Sequence, residues 1–516
     1  MSVIASILIF CIVFILWFWL RPRSPNAPPC YPGALPIIGH GHQIFGNRKH
    51  LWKYLEKIFQ YSLEKGGVLE VWLATHSVYV ITDPDEILTV ANTCLNKAYF
   101  YEFGKEYFKN GLITSEASIW RNHRKLLDVA FTQKVLDTFV DEMNAQTRVL
   151  VTNLNVLVDK GPFDVRQYLI NYTLKIVSRT SLGLEAKDQT MIDEAYADAL
   201  EDLIKVYCER AQKVWLHLSC IYDRSSLRKK QDYLLKIMNN IIDAVIVKRR
   251  SDLKLNNNES TQCDKAKPGK FKPALDQILQ LVDKHHVFND EEIPETLDTF
   301  VAAALEEHHV FNDGEIREHL DTFVAAAYDT TSETLIYVLL AIGSHPEVQE
   351  KILKEIQEVQ PNKNEDISKY DLLRLVYVEA VIKEVLRLYS PLPGVARKIE
   401  KDVKLKNYTL RAGSTCILSL YGVAHHSMWG PDVNEFKPER WFDVANFPTN
   451  PNAFGAFGIG RRNCIGKQFA LTLMKLTVVY LVRNYHISSD ISKLESEYDI
   501  VLKAVSGHLI SITYRE

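Results

Sequence analysis

The residues best placed to do chemistry lie in one short stretch, Phe457-Gly-Ile-Gly-Arg-Arg-Asn-Cys-Ile-Gly466, which sets a single cysteine among glycines and two arginines. An apolar helical run from Phe469 to Leu476 follows directly. A lone thiolate facing an open position on a metal has three requirements. Backbone N–H groups must come close to the sulfur, which glycines permit because they carry no side chain. Positive charge and the N-terminus of a following helix must keep the sulfur ionised. No second protein ligand should close the site. Zinc takes three or four clustered ligands, and no Cys-x-x-Cys or His-x-x-x-His lies near Cys464. A haem iron takes only one from the protein, and thiolate is the ligand that favours O–O cleavage.

Phe457, Gly460, Arg462, Cys464 and Gly466 reproduce the pattern Phe-x-x-Gly-x-Arg-x-Cys-x-Gly. The stretch thus resembles the haem-ligand signature of the cytochrome P-450 monooxygenases. The resemblance implies that Cys464 is the metal ligand and that the other four residues hold the cofactor, haem b (iron protoporphyrin IX). Three further motifs match in the same order along the chain. Trp120 and Arg124 share a helix face at i,i+4 spacing, and in the family this pair meets a haem propionate. Ala326-Ala-Tyr-Asp329-Thr330-Thr331 resembles the family's oxygen-side helix, in which small residues leave room for O₂. There a hydroxyl such as that of Thr330 bonds the distal oxygen, and Asp329, linked to solvent, replenishes its proton. Glu384 and Arg387, three apart on a helix read over 371–389, come before Pro438-Glu-Arg440-Trp441. This order resembles the family's buried Glu-Arg-Arg tie, which braces the cysteine loop. Arg397 matches a second propionate-binding arginine.

Two departures stand out within a chain that resembles the insect branch of the fatty-acid ω-hydroxylase clan. Ala327 replaces the usual glycine, and Ala326 stands where many of those enzymes carry a glutamate esterified to the haem, so no covalent haem link is expected. The implied fold is mainly α (α+β): a large helical domain around the haem, with a small β-rich subdomain.

The elements that must position these residues can be read in part. Ser2 to Leu20 is uncharged and almost wholly apolar, and at ~1.5 Å per residue it is long enough for a bilayer core. Arg21 and Arg23 follow it, which reads as an uncleaved anchor over 1–20 with the body in the cytoplasm. Prolines crowd the next stretch, giving a semi-rigid hinge over 21–45 ahead of a monooxygenase domain over 46–516. Val68 to Thr82 alternates as a hairpin, and Asp83-Pro84-Asp85-Glu86 opens a helix with an Asp N-cap and Pro at N1. Short late strands are expected over 404–410, 415–420 and 509–514. Residues 251–272, polar and Gly/Pro-punctuated, read as a mobile loop. The segment His285 to Ala304 recurs as His308 to Ala327 with three differences, and Pro294 interrupts the first copy. The 285–307 copy reads as a duplicated insertion, displaced from the helix that the second copy enters.

A net charge of −3 argues against a nucleic-acid partner, and eight scattered cysteines fit a reducing compartment. Nothing resembles a dinucleotide fingerprint or a flavin domain. The resemblance therefore implies NADPH-derived electrons from a separate NADPH–cytochrome P-450 reductase, with cytochrome b5 as a further candidate partner. Arg121, Arg124, Lys125, Arg461 and Lys467 form a candidate basic docking face. The implied reaction is oxygen insertion into an apolar small molecule at the endoplasmic reticulum (microsome) membrane, in contact with membrane lipid. A haem-thiolate isomerase and a non-catalytic haem-binding protein are the alternative readings; the isomerases commonly lack a hydroxyl at the Thr330 position.

Overall fold

Local signals in the chain set most of the elements around the site. The computed structural model describes residues 10, 13, 25–74, 76–184, 192, 194–259, 271–279 and 311–515. The remainder of the anchor stretch and the first repeat copy lie outside the described residues. No helix among the described residues is long and apolar enough to cross a membrane.

Helix α1 (Arg48–Glu64) precedes the hairpin β1 (Val68–Leu73) and β2 (His76–Ile81), whose register pairs Val68 with Ile81. Helix α2 (Pro84–Thr93) starts where the sequence places it, the Asp83 carboxylate accepting from the N–H groups of Asp85 and Glu86. Helices α3 (Ala117–Asp128), α4 (Val140–Leu154), α5 (Arg166–Thr180), α6 (Glu194–Gln212) and α7 (Ser226–Glu259) follow. Helix α7 continues through 251–259, so the loop read over 251–272 is helical in its first part. Lys, Leu and Asn residues there extend the preceding helix without a breaker before Pro268.

The central helix is α8 (Asp313–Ser344). Asn312 caps it by accepting from Glu315 N–H, while the Glu315 side chain accepts from Asn312 N–H, each at 3.0 Å. Nearly every side chain from Glu318 to Gly343 is buried, because α8 is enclosed by α5, β-strands and the helices that follow. These are α9 (Pro346–Val359), α10 (Val376–Leu388) and, after the cysteine loop, α11 (Lys467–Asn484). The helix read over 371–389 is broken at Leu375, so Lys369–Arg374 forms a separate turn.

Strands β3 (Gly394–Lys398) and β4 (Thr415–Ser419) complete a four-stranded sheet of order β1-β2-β4-β3, in which β2 and β4 run parallel. Within the segment read as a semi-rigid hinge, Pro29 and Tyr31 are fastened to this sheet. Tyr31 N–H donates to Glu70 O and Glu70 N–H to Pro29 O, both at 2.8 Å. Proline lacks a donor but keeps its acceptor, so such a segment can still dress a sheet edge. The C-terminal strands are β5 (Tyr485–Ser489), β6 (Glu495–Asp499), β7 (Val501–Ser506) and β8 (Leu509–Tyr514). Strand β8 pairs with β5, and β6 with β7, which packs beside α8.

Candidate active site

The cysteine loop is held by its own backbone. Cys464 N–H donates to Phe457 O at 2.8 Å, and Asn463 N–H to Gly460 O at 3.2 Å. Gly460 lies at φ +80°, and a Cβ there would stand 2.7 Å from the Ala91 Cβ of α2, so only glycine fits. Helix α3 clasps the loop from the other side. The Arg462 guanidinium stacks 4.8 Å from the Trp120 ring, and Arg124 donates to Asn463 O at 2.7 Å and to Asp128 at 2.7 Å. Trp120 and Arg124 do share a face, and each meets the cysteine loop.

Cys464 has accessible surface, yet burial is the largest influence on its thiol, so that surface opens onto a recess in the protein. Burial pushes the thiol up, against the Gly466 N–H and the charges of Arg124 and Lys467, which pull it down. The sequence reading expected charge and helix N-terminus to keep the sulfur ionised; in the fold, desolvation outweighs them. A positive charge opposite the sulfur would favour its ionised form.

Beside this loop lie three basic side chains with no acidic partner among the described residues. Arg397, on β3, is 1% exposed and keeps its Nη1 on Ala396 O at 3.0 Å. Arg462 donates through Nη2 to Ser115 O at 2.6 Å. Lys97 forms a bridge with Arg397 and sits 4.8 Å from the Tyr101 ring centre. Burial, then the Arg397 charge, brings the Arg462 guanidinium down to about 9. Burial, then Arg397 and Arg462, lowers Lys97 well below the usual lysine range. No carboxylate among the described residues forms a salt bridge with any of the three. Arg397 Nε and Arg462 Nε and Nη1 are buried without a hydrogen-bond partner. Bare buried guanidinium nitrogens are costly, and a group with two carboxylates would satisfy them. The donor set at Cys464 and this cationic cradle thus fit a haem with its propionates. Lys97 escaped the sequence reading because a single lysine in Asn-Lys-Ala carries no pattern; only the pairing with β3 reveals it.

On α8, all residues from Glu318 to Gly343 are buried save Ala326, Ala327 and Thr330, which form one open face. Thr330 Oγ1 donates to Ala326 O at 2.7 Å. Asp329 points elsewhere. It is 3% exposed, its Oδ1 lies 3.2 Å from Lys503 Nζ on β7, and its Oδ2 has no partner among the described residues. The sequence reading expected Asp329 to be linked to solvent; in the fold β7 covers it, so its carboxyl has little direct exposure. One turn on, Glu333 pairs with Arg166 and accepts from Ala504 N–H at 3.3 Å.

Behind the loop, Glu384 is fully buried. Arg387 donates to it through Nε (3.0 Å) and Nη2 (2.8 Å), Arg440 through Nε (2.8 Å), and Trp441 through Nε1 (3.0 Å). Lys437 N–H adds a donor at 3.1 Å. Trp441 packs edge-on to Phe454, and Phe454 to Phe457, so aromatic contact runs from this carboxylate to the cysteine loop.

Comparison with known proteins agrees with this geometry. Residues 28–509 match the family model described as cytochrome P-450. Cytochrome P-450 4d1 of Drosophila simulans is 29% identical over 469 residues, covering 88% of this chain and 86% of that protein. Cytochrome P-450 4c21 of Blattella germanica is 28% identical over 484 residues, with 93% and 90% covered. Cytochrome P-450 4V2 of Homo sapiens is 26% identical over 508 residues, with 97% and 91% covered. A cysteine loop, a cationic cradle and a family match over nearly the whole chain lead to one conclusion: this chain belongs to the cytochrome P-450 family and is a haem-thiolate monooxygenase.

Proposed function

We propose that the protein inserts one atom of O₂ into a C–H bond of an apolar substrate, using NADPH-derived electrons from a separate reductase. The observation that carries this reading is the unneutralised group of Lys97, Arg397 and Arg462 beside the open Cys464. Bound there, haem b would supply the iron at which dioxygen is activated. Cys464 would be its protein ligand, with Phe457, Gly460 and Gly466 shaping the loop around the sulfur, and the three cations would hold the propionates. Ala326 and Ala327 leave space on α8, and Thr330 Oγ1 presents a hydroxyl whose proton is parked on Ala326 O. A turn about its side-chain torsion frees that proton for a reacting oxygen. Asp329, one residue back, is the acid through which the hydroxyl would be resupplied, its bare Oδ2 free to pass a proton while Oδ1 stays on Lys503.

The electron donor would be NADPH–cytochrome P-450 reductase, with cytochrome b5 as a further candidate partner. Arg121, Lys125, Arg461 and Lys467 are exposed. The Arg124–Asn463 bond gathers their two elements onto one face. The anchor and Pro-rich hinge read from the sequence would set the catalytic body on the cytoplasmic side of the endoplasmic reticulum membrane.

The test is turnover of the full chain with purified reductase, NADPH and a panel of lipids and hydrophobic amines under isotopically labelled O₂. The expected result is a hydroxylated product carrying the label, made only when NADPH is present. Rearrangement of a hydroperoxide without NADPH would make the protein an isomerase. Ligand binding without any product would make it a haem-binding protein.

A further inference from the structure

Asp329 is covered, yet inserting one atom of O₂ and releasing the other as water consumes protons. The residue that covers Asp329 also leads away from it. Lys503 on β7 has its Nζ 3.2 Å from Asp329 Oδ1, and the same nitrogen lies 3.8 Å from Glu201 Oε1 on α6. An ammonium carries several donors and no acceptor, so one nitrogen can serve both carboxylates. The strand around it is pinned to α8 on either side. Leu502 O accepts from Tyr337 Oη at 3.0 Å, and Ala504 N–H donates to Glu333 at 3.3 Å.

Four acids surround this amine: Asp329 and Glu333 on α8, Glu201 on α6 and Asp499 at the end of β6. Burial works against the charge on Lys503, but the four acids together outweigh it and hold the ammonium above the usual lysine range. Asp329, Glu333 and Asp499 are 3%, 1% and 0% exposed, and the last two are taken by Arg166 and Arg48. Glu201 differs. Its side chain is 31% exposed, and its Oε1 also pairs with the half-exposed Lys205, one turn along α6, at 2.9 Å. Of the four, it is the acid that meets both water and Lys503.

We propose that Lys503 is the residue through which protons reach Asp329, with Glu201 as their point of entry from solvent. No electron moves in this transfer. As the Oδ2 proton of Asp329 passes to Thr330 Oγ1, an N–H bond of the Lys503 ammonium breaks and its proton moves to Oδ1. The neutral amine takes a proton from solvent by way of the Glu201 carboxyl. Half a turn of the Asp329 carboxyl then returns its proton to the Thr330 side. A solvent proton has been carried inward, and Asp329, Lys503 and Glu201 end as they began. This assignment rests on the oxygen-insertion reading above and adds the residues that feed it.

Lys503→Arg separates a relay from a mere clamp. Arginine keeps a positive charge on Asp329 but does not give up a proton, so it preserves the pair and blocks the transfer. The measurement is NADPH-driven O₂ consumption by the haem-loaded chain with excess reductase, in H₂O and in D₂O. Lys503→Arg should be slower by about tenfold or more, with an enlarged solvent isotope effect at unchanged haem content. Glu201→Gln should enlarge the isotope effect with a smaller loss of rate. A second readout needs no turnover: NMR titration of the Lys503 amine in the reduced, carbon monoxide-bound chain, where Asp329→Asn and Glu201→Gln should each lower its pKa. A Lys503→Arg chain as fast as the unaltered one, with the same isotope effect, overturns the proposal and leaves Lys503 a clamp. So does an amine that responds to Asp329→Asn and not to Glu201→Gln, and this result stands even where Lys503→Arg fails to fold. An unaltered chain that consumes no O₂ would count against the oxygen-insertion reading instead.

Discussion

Glu384 and the group formed by Lys97, Arg397 and Arg462 are both buried charge beside the same cysteine loop, and the chain treats them in opposite ways. Around Glu384 every acceptor site is filled by Arg387, Arg440, Trp441 or the Lys437 N–H, so that carboxylate is finished by the chain itself. Around the three basic groups the described residues supply carbonyls and rings but no acidic partner, and three guanidinium nitrogens stay bare. A self-contained ion pair is structure, whereas an excess of one sign with unfilled donors is a binding site awaiting its counter-charge.

Substitutions can break this contrast from either side. Glu384→Ala should have the largest effect, since it leaves the buried Arg387 guanidinium without an anion and Arg440 with Asp432 alone, a loss of about 3–5 kcal/mol. The expected protein retains no haem and unfolds at much lower urea, measured by denaturation and haem content. A normally loaded Glu384→Ala protein would remove the tie from the account. Arg397→Met and Arg462→Met should move two quantities in opposite directions. Losing one of three mutually repelling cations should stabilise the haem-free protein by about 1 kcal/mol or more, yet speed haem loss from the loaded one. Thermal midpoints of the haem-free form and haem-transfer rates measure the two, and a destabilised haem-free form would contradict the cradle.

Glu333 falls between the two extremes and has the smallest expected effect. It has a partner in Arg166, but burial outweighs that charge and brings its carboxyl up to about 7. Its folded value exceeds its ordinary one, so the folded state holds the proton longer. The resulting stability is full below the ordinary carboxylate range and is lost as pH rises through about 7. Glu333→Gln should flatten that part of the stability–pH curve by roughly 1–3 kcal/mol. Urea midpoints at mildly acid and mildly alkaline pH check this, and parallel curves for the two proteins would sink it.

Much of this was legible before the fold, for a physical reason. The Asp83 and Asn312 caps, the β1–β2 hairpin and the spacing of Glu384 and Arg387 are local patterns, and local patterns survive translation into structure. What the sequence hid depends on pairing across long separations. Lys97 matters only because it meets β3, and Asp329 is closed from solvent only because Lys503 arrives from β7. Trp120 and Arg124 share the face that their spacing gives, while their contacts with Arg462 and Asn463 of the cysteine loop could not be read from spacing, which reveals which side chains travel together and not what they will meet. The balance of forces on Cys464 was also out of reach, because desolvation depends on how closely the surrounding fold packs around the sulfur.

The account stands on Cys464 as a thiolate bound to iron, and the carbon monoxide difference spectrum of the reduced protein reads that bond directly. The expected spectrum is the red-shifted band of a thiolate-ligated carbonyl complex in the unaltered chain, absent in Cys464→Ser. An imidazole-type band in the unaltered chain, or an unchanged spectrum in the serine variant, would contradict it.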